Sequence, residues 1–360
     1  MANTLLKRQH ALRQKLAAEE LDALVVGHPP DWYYLTGFSG ESGALVVTRS
    51  RTSLITDGRF VTQARDETSG IRVLQHKKSL FTAVGEFLRD AGFRRAGFDS
   101  GQLTVAQHAA LRKAAGARCR LTPWPGLVLG LRIRKDASEL AQMRKAALLA
   151  SDVVEAAIRM LKPGIREIEV AAEIEYRMRK LGASGPAFES IVAFGEHAAL
   201  PHARPTAKRL RKNELVVLDL GVILGHYCSD ITRTVFFGTA PKRIKRWYKA
   251  VLEAQQAAIS AVRSGVTCGE VDAAARDTLA GYKLDRYFVH STGHGLGLEV
   301  HEDPRVARGQ NAKLEPGTVI TIEPGVYVPG VGGIRIEDDV AVHEDRSEIL
   351  TRAPRDFIEL

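Results

Sequence analysis

The sequence predicts two domains, the first of α/β class and the second of α+β class. Residues 1–130 alternate amphipathic helical stretches with short apolar runs, which is typical of an α/β domain. Residues 131–360 begin with a long helix rich in alanine and end in strand-like runs separated by glycine and proline. The sequence PWPG at 123–126 interrupts the pattern, and we place the boundary just after it.

The first domain is predicted to alternate strands with helices. Apolar runs bounded by turn residues predict strands at 23–27, 43–48, 53–56, 71–74 and 96–99. Leucine and alanine at helical spacing predict helices at the N-terminus, at 80–91 and at 106–115.

A weak internal repeat divides the second domain into two half-domains of similar plan. The segments KPGIREIEVAAEI and RSGVTCGEVDAAA align at a constant separation of 101 residues, so that Gly164 matches Gly265. Each segment follows a long Ala-rich helix and opens another, and Thr267 and Glu270 have the spacing of a capping box. We therefore predict a pseudo-two-fold relation between the two halves.

Composition and charge exclude several classes of protein. The net charge of +9 suggests nucleic acid, but the basic clusters at 208–212 and 242–246 border turns and carry few aromatic residues, so we interpret them as a solvated face. No apolar run approaches the ~20 residues of a membrane span, and the N-terminus lacks a signal-type apolar core. Three scattered cysteines fit a reducing compartment. We expect a cytoplasmic protein that binds neither nucleic acid nor membrane.

The stretch 215–238 is predicted to form two paired strands that carry two acidic residues. Asp219 interrupts an almost unbroken apolar run, where an ionised side chain is costly unless a partner, hydrogen bonds or a metal compensates it. A two-residue turn at Leu224 and Gly225 would place Asp219 directly opposite Asp230. Two buried carboxylates at that distance repel, so we expect either a protonated acid or a cation between them.

A second pair of strands is predicted in VITIEPGVYVPGVGGIRIEDDVAV. If its loop centres on Gly330, Glu323 faces Glu337, and Arg335 shares the face of Glu337. The preceding segment, FVHSTGHGLGLEVHE, contains His294 between two glycines, which we expect to let another group approach the imidazole closely.

These acids and the histidine together predict a metal site. The candidate ligands are Asp219, Asp230, His294, Glu323 and Glu337. This oxygen-rich set suits Mn, Co, Fe or Zn better than it suits a closed structural zinc site. It exceeds what one divalent ion needs, so we predict two ions about 3.5 to 4 Å apart with a bridging water as the nucleophile. Each residue alone has a plain structural interpretation, and the conjunction of all five supports the hypothesis.

The motifs, together with ALPHARPT at 199–206, resemble those of the proline-specific metallopeptidases of the pita-bread fold (family M24), the Xaa-Pro aminopeptidases and the Xaa-Pro dipeptidases or prolidases. YYLTGFSGESGALVV and LITDGRFVTQA resemble the creatinase-like N-terminal domain of those enzymes. The resemblance implies a creatinase-like domain over 1–130 and a pita-bread catalytic domain over 131–360. It also implies two divalent ions, with manganese expected and cobalt or zinc as alternatives.

The resemblance further implies how the five ligands divide between the ions. Asp219 chelates one ion, Asp230 and Glu337 bridge both, and His294 and Glu323 complete the set. Glu323 is also expected to move the proton of the attacking water.

Five further side chains are expected around the substrate. The resemblance implies that His202 and His301 are catalytic histidines that orient the peptide and stabilise the tetrahedral intermediate. His290 is expected near the substrate amine and the proline. Arg335 is expected to pair with a ligand carboxylate, and Arg305 falls where some prolidases bind the carboxylate of the substrate.

The function that follows from the resemblance is that of an Xaa-Pro aminopeptidase, which hydrolyses the bond between an N-terminal residue and a following proline. An Xaa-Pro dipeptidase restricted to dipeptides is the alternative that Arg305 supports. A non-catalytic pita-bread binding module is a third. The expected partners are small peptides with proline at the second position, and a second copy of the chain in a homodimer.

Overall fold

The computed structural model describes residues 2–360, and Met1, the first residue of the predicted N-terminal domain, lies outside the described residues. The chain forms two compact units, one ending at Arg132 and the other beginning at Ile133. Among residues 2–360, none of the helices combines the length and the apolar character that crossing a lipid bilayer requires.

The first unit is a six-stranded sheet with helices. Its strands are β1 (Ala23–Val26), β2 (Ala44–Thr48), β3 (Thr52–Thr56), β4 (Arg72–Gln75), β5 (Arg95–Phe98) and β6 (Arg120–Pro123). Its helices are α1 (Ala2–Ala18), α2 (Pro29–Thr36), α3 (Val61–Glu67), α4 (Leu80–Asp90), α5 (Val105–Ala115) and α6 (Leu129–Arg132). The order in the sheet is β4-β3-β2-β1-β5-β6. The predicted strands and helices are confirmed, and β6 was missed because its sequence, RLTP, mixes charge, proline and apolar residues at a sheet edge.

The second unit surrounds short strands with four long helices. The helices are α7 (Ala137–Arg159), α8 (Glu167–Lys180), α9 (Lys242–Ala261) and α10 (Cys268–Gly281). The strands are β7 (Gly185–Pro186), β8 (Ile191–Phe194), β9 (Glu214–Leu220), β10 (Val222–Leu224), β11 (Tyr227–Cys228), β12 (Ile231–Phe237), β13 (Gly293–Gly295), β14 (Glu302–Val306), β15 (Val319–Ile322), β16 (Gly325–Val328), β17 (Gly332–Arg335), β18 (Asp338–Val342) and β19 (Ser347–Ile349). Their sheets have the orders β11-β10-β7, β12-β9-β8, β14-β13-β15-β18-β19 and β16-β17.

The internal repeat is visible in the second unit. Helices α7 and α8 correspond to α9 and α10, and the capping box predicted for α10 is present. Gly164 and Gly265 both have left-handed φ values, 82° and 84°. The N–H of Gly164 donates to the carbonyl of Leu210, and that of Gly265 donates to the carbonyl of Leu314, both at 2.9 Å. The two halves therefore share local geometry as well as sequence.

The first hairpin runs from β9 and β10 through a tight turn to β11 and β12. Gly225 and His226 form the turn, with φ values of 55° and 71°. The predicted turn at Leu224 was wrong by one residue, because such a turn needs positive φ at both positions and a bulky leucine disfavours it. Asp219 consequently lies opposite Thr232, and Asp230 lies two positions further along the same face.

The second hairpin runs from β15 and β16 to β17 and β18, and its predicted register is confirmed. The pair Ile322 and Asp338 and the pair Gly325 and Arg335 lie on either side of the candidate glutamates. The same register between them places Glu323 opposite Glu337.

Candidate metal centre

The two hairpins meet along their second strands. We call this contact, of residues 230–234 with 335–339, the seam. The N–H of Asp230 donates to Oδ2 of Asp339, and the N–H of Glu337 donates to the carbonyl of Thr232, each at 3.2 Å. The seam brings the acids of one half-domain against those of the other.

A fully buried arginine ties the seam together. Nη1 of Arg233 donates to the carbonyls of Thr232 and Glu337 at 2.9 and 2.6 Å. Nη2 donates to Oδ1 of Asp338 at 2.8 Å, and further bonds reach backbone carbonyls near the C-terminus. Since Asp338 is compensated by Arg233, it differs from the other acids of the seam.

The candidate ligands of the two halves converge beside the seam. One ligand atom from each of Asp230, His294 and Glu337 lies within 4.8 Å of the others, a spacing that can hold a metal ion. Nε2 of His294 lies 3.8 Å from Oδ2 of Asp230 and 3.6 Å from Oε1 of Glu323. These four side chains come from positions up to 107 residues apart in the sequence.

Asp219 lies beside this cluster and pairs with an arginine. Nη2 of Arg335 donates to Oδ2 of Asp219, as predicted. Among the described residues, Oδ1 of Asp219 and Oδ1 of Asp230 have no hydrogen-bond partner although both atoms are buried. A buried carboxylate oxygen without a donor is costly, and a cation would compensate it.

Electrostatics also favour a cation at this place. Burial raises the pKa of Asp230 well above its usual value, and the charge of Glu337 adds to this effect. Burial raises the pKa of Glu337 as well, and it raises that of Glu323 to about 8. One guanidinium, that of Arg335, cannot balance these acids, whereas divalent cations can. The residues therefore fit the predicted metal.

Burial favours the neutral form of three histidines of the site. Burial lowers the pKa of His294 and of His290 to about 4, and burial lowers that of His301. Neutral imidazole is the form that binds metals. The rings of His294 and His301 pack edge to face with centroids 4.4 Å apart. His202 is exposed, and its charge contributes to the lowered pKa of His301, after burial.

The glycines beside His294 make room for the backbone of neighbouring strands. A Cβ at Gly293 would lie 1.8 Å from the carbonyl oxygen of Thr321, and one at Gly295 would lie 2.2 Å from that of Asp303. They let neighbouring backbone approach β13 closely, and the predicted access to the imidazole stays a prediction. Nδ1 of His294 lies 3.0 Å from the carbonyl of Gly295, which leaves Nε2 for the acids.

Two residues that the motifs did not indicate complete the hydrogen-bond network. The hydroxyl of Thr232 donates to Oε2 of Glu337 at 2.6 Å and accepts from Nε of Arg335 at 3.0 Å. The hydroxyl of Tyr327 accepts from Nη1 of Arg335 at 2.6 Å and lies 2.8 Å from Nε2 of His290. Thr232 lies two residues after Asp230, and Tyr327 lies four residues after Glu323, so the two-residue periodicity of extended chain could have found both.

Arg305 is a predicted residue for which the described part of the chain shows no hydrogen bond or ion pair. It is exposed on β14. Its predicted role therefore depends on the resemblance alone.

The arrangement is that of a metal-dependent hydrolase, and comparison with known proteins agrees with it. Residues 141–344 match metallopeptidase family M24, and residues 8–134 match the Creatinase/Prolidase N-terminal domain. The chain belongs to metallopeptidase family M24. The predicted creatinase-like domain and pita-bread catalytic fold are thereby confirmed.

Similar proteins match the chain over nearly its whole length. The Xaa-Pro dipeptidase of Pyrococcus horikoshii is 37% identical over 339 residues, which are 94% of this chain and 95% of the relative. The structure of an Xaa-Pro dipeptidase from Bacillus anthracis superposes with a TM-score of 0.95 at 36% identity, covering 99% of this chain and all of that one. The X-Pro aminopeptidase from Thermotoga maritima has a TM-score of 0.88 at 31% identity, covering 95% of this chain and 98% of that one.

Proposed function

We propose that the chain hydrolyses the bond between an N-terminal residue and a following proline, with two divalent cations as cofactors. The metal ligands are Asp219, Asp230, His294, Glu323 and Glu337. The main support is the convergence of carboxylates from both half-domains with one imidazole at metal-ligand distance. The two buried carboxylate oxygens without donors add to it.

Bound divalent ions supply a Lewis acid and bring the pKa of water towards neutrality. Asp230 and Glu337, whose ligand atoms lie within 4.8 Å of that of His294, would hold the ions together with Asp219. Oxygen ligands with a single imidazole favour manganese, with cobalt or zinc as alternatives.

Glu323 moves the proton in this proposal. Its Oε1 faces His294, and its Oε2 lies 3.9 Å from Nδ1 of His290, on the more open side of the cluster. It takes a proton from the attacking water and delivers it to the nitrogen of proline, which must be protonated as it leaves. His202 and His301 orient the peptide, and His290 lies near its amine.

The preferred substrate is a dipeptide. The sequence favoured an aminopeptidase, but the dipeptidase names of relatives that match the chain from end to end favour an Xaa-Pro dipeptidase. The aminopeptidase stays the second candidate because a similar structure carries that name. Separate incubation with Ala-Pro and Ala-Pro-Gly-Gly, followed by mass spectrometry, decides between them. Cleavage of both peptides would contradict the dipeptidase.

Metal removal tests the chemistry. Dialysis against a chelator should abolish the cleavage of Ala-Pro, and addition of Mn, Co or Zn should restore it. Elemental analysis of the loaded protein should give near two metals per chain. Equal activity in the metal-free protein would refute the proposal, and a chain that binds no metal would favour a non-catalytic module. Light scattering tests the expected homodimer.

A further inference from the structure

The segment 195–206, which we call the His202 loop, brings an exposed histidine to the candidate site. Nη1 of Arg335 donates to the carbonyl of Pro201 at 3.3 Å, so the tip of the loop is attached to the arginine that also holds Asp219. Burial lowers the pKa of His301, and the charge of the nearby His202 adds to this effect.

One buried carboxylate holds both ends of the His202 loop. Glu167, the first residue of α8, is completely buried. Before the loop, the N–H of Phe194 donates to its Oε1 at 2.9 Å, and Nδ1 of His197 lies at the same distance. At the far end, the N–H and the hydroxyl of Thr206 donate to Oε2 at 2.9 and 2.6 Å.

The start of the His202 loop also rests on the strand that carries Arg335. A Cβ at Gly333 would lie 2.1 Å from the carbonyl oxygen of Ala198, and one at Gly332 would lie 2.9 Å from that of Gly195. The two glycines of β17 thus allow direct backbone packing. A small change at the base of the loop is transmitted to its tip because little space is left for adjustment.

Glu167 is not needed as a helix cap. Glu169 performs that function, since its carboxylate accepts from the N–H of Arg166 at 2.8 Å. At the corresponding position of the other half-domain, 101 residues later, stands Cys268, a buried thiol that cannot accept four strong hydrogen bonds. The acid therefore belongs to the half-domain that carries the His202 loop.

We propose that Glu167 is a positioning residue that holds His202 at the open side of the metal centre by fixing both ends of the His202 loop. This inference rests on the proposed function, in which His202 orients the peptide. Glu167 itself touches neither substrate nor metal. Glu167 affects catalysis indirectly, by fixing the position of His202.

Glu167→Gln tests the inference, with Glu169→Gln on the same helix as the matched control. Glutamine keeps the size of the side chain, but its NH2 group replaces one of the two accepting oxygens. That group is a donor and cannot accept the hydrogen bonds of the loop. Hydrogen exchange of the amides in 195–206 should become faster in the first variant only. The kcat/KM for Ala-Pro should fall by about 100-fold, the effect of a small misplacement, and the control should leave it unchanged.

A double-mutant cycle separates positioning from general destabilisation. If Glu167 acts through His202, then adding Glu167→Gln to His202→Ala should lower kcat/KM by less than about twofold beyond the single substitution. Losses that multiply would overturn the inference. Unchanged exchange in the His202 loop would do so as well.

If Glu167→Gln does not fold, a milder variant still tests the inference. Thr206→Val removes one hydroxyl bond to the carboxylate and should lower kcat/KM roughly tenfold, with faster exchange in the same loop. No effect on either quantity would contradict the inference. A wild-type protein that cleaves no Xaa-Pro peptide would instead refute the proposed function, and the exchange measurement would then decide whether Glu167 holds the loop.

Discussion

The two hairpins of the catalytic unit follow one plan but present their acids differently. In the second, Glu323 and Glu337 face each other directly, as the flanking pairs show. In the first, Asp219 faces Thr232, and Asp230 is displaced by two positions. The acids of the first hairpin are therefore staggered, and the candidate metal centre is asymmetric although the half-domains are related.

This difference between the hairpins explains the function of Thr232. It occupies the position in the first hairpin that Glu337 occupies in the second, and across the seam its hydroxyl donates to the carboxylate of Glu337. One half-domain thus supplies the acid, and the other supplies the group that orients it. Supporting hydrogen bonds of this kind fix the direction of a metal ligand.

The largest expected effect follows from removing a central acid of the staggered hairpin. Asp230→Asn should lose metal and lower activity by about 10³-fold or more, because the metal contributes several kcal/mol to the transition state. The metal-free variant should be more stable than the metal-free wild type, because burial raises the pKa of Asp230, so that wild type must take up a proton there on folding or bury a charge, whereas asparagine is neutral in both states. Elemental analysis, kinetics and thermal unfolding in chelator measure these effects.

Asp338→Asn is the matched control, because Asp338 is equally buried but bonded to Arg233 at 2.8 Å. Leaving that guanidinium without its partner should destabilise the metal-free protein by about 3 to 5 kcal/mol. The two substitutions should therefore shift the unfolding temperature in opposite directions. Shifts of the same sign would show that burying Asp230 has no free-energy cost that asparagine avoids.

Thr232→Val tests the support that one hairpin gives to the other. The isosteric change removes the hydroxyl bond to Glu337 and should weaken metal binding by about 10- to 100-fold. Titration calorimetry of the metal-free protein with Mn²⁺ measures it. Thr234→Val, two positions along the same strand, removes hydroxyl bonds to the backbone of Arg335 and should leave the affinity nearly unchanged. Equal losses would mean that the seam, and not the ligand, is affected.

The stability of the metal-free protein should depend on pH. Burial raises the pKa of Glu323 to about 8 and also raises the pKa values of Asp230 and Glu337. The folded state therefore retains protons that the unfolded state releases near pH 3.8 from the aspartate and near pH 4.5 from the glutamates. Stability therefore falls as pH rises. The pKa values of His294 and His290 are lowered from 6.5 to about 4, so these groups make stability rise with pH. This contribution is confined to the range below pH 6.5.

Between pH 6.5 and 8 the pH dependence of stability therefore reports on the buried carboxyl groups, without the contribution of His294 and His290. The unfolding temperature in chelator should fall across this window, and the slope should be flatter in the metal-loaded protein, whose ligands are held deprotonated. Identical slopes with and without metal would contradict the assignment of these acids as ligands.

The smallest effect distinguishes the two turns. Gly330 has a φ of 72° and, within the described residues, nothing within 4 Å of an added Cβ, so Gly330→Ala should cost about 1 kcal/mol for the left-handed backbone alone. A Cβ at Gly225 would meet Nε2 of Gln142 at 2.7 Å and disturb its bond to the carbonyl of Leu224. Gly225→Ala should therefore cost about 1 kcal/mol more, as measured by denaturant unfolding. Equal costs would show that the Gln142 bond contributes nothing.

The sequence by itself determined five of the six strands of the first unit, the repeat, the register of the second hairpin and the five candidate ligands. These depend on local information: apolar periodicity, turn residues, and acidic residues within strands whose neighbours predict no solvent-exposed face. The assignment of those five as ligands, and the domain limits at 130 and 131, stay predictions.

The tertiary structure decided the register of the first hairpin, the pairing of Asp219 with Arg335, and the supports from Thr232, Arg233 and Glu167. A shift of two residues keeps every side chain on its face, so apolar alternation does not distinguish Thr232 from Asp230 as the partner of Asp219. These supports join residues as much as 121 positions apart, and burial in the folded protein decides which of the available donors and acceptors meet.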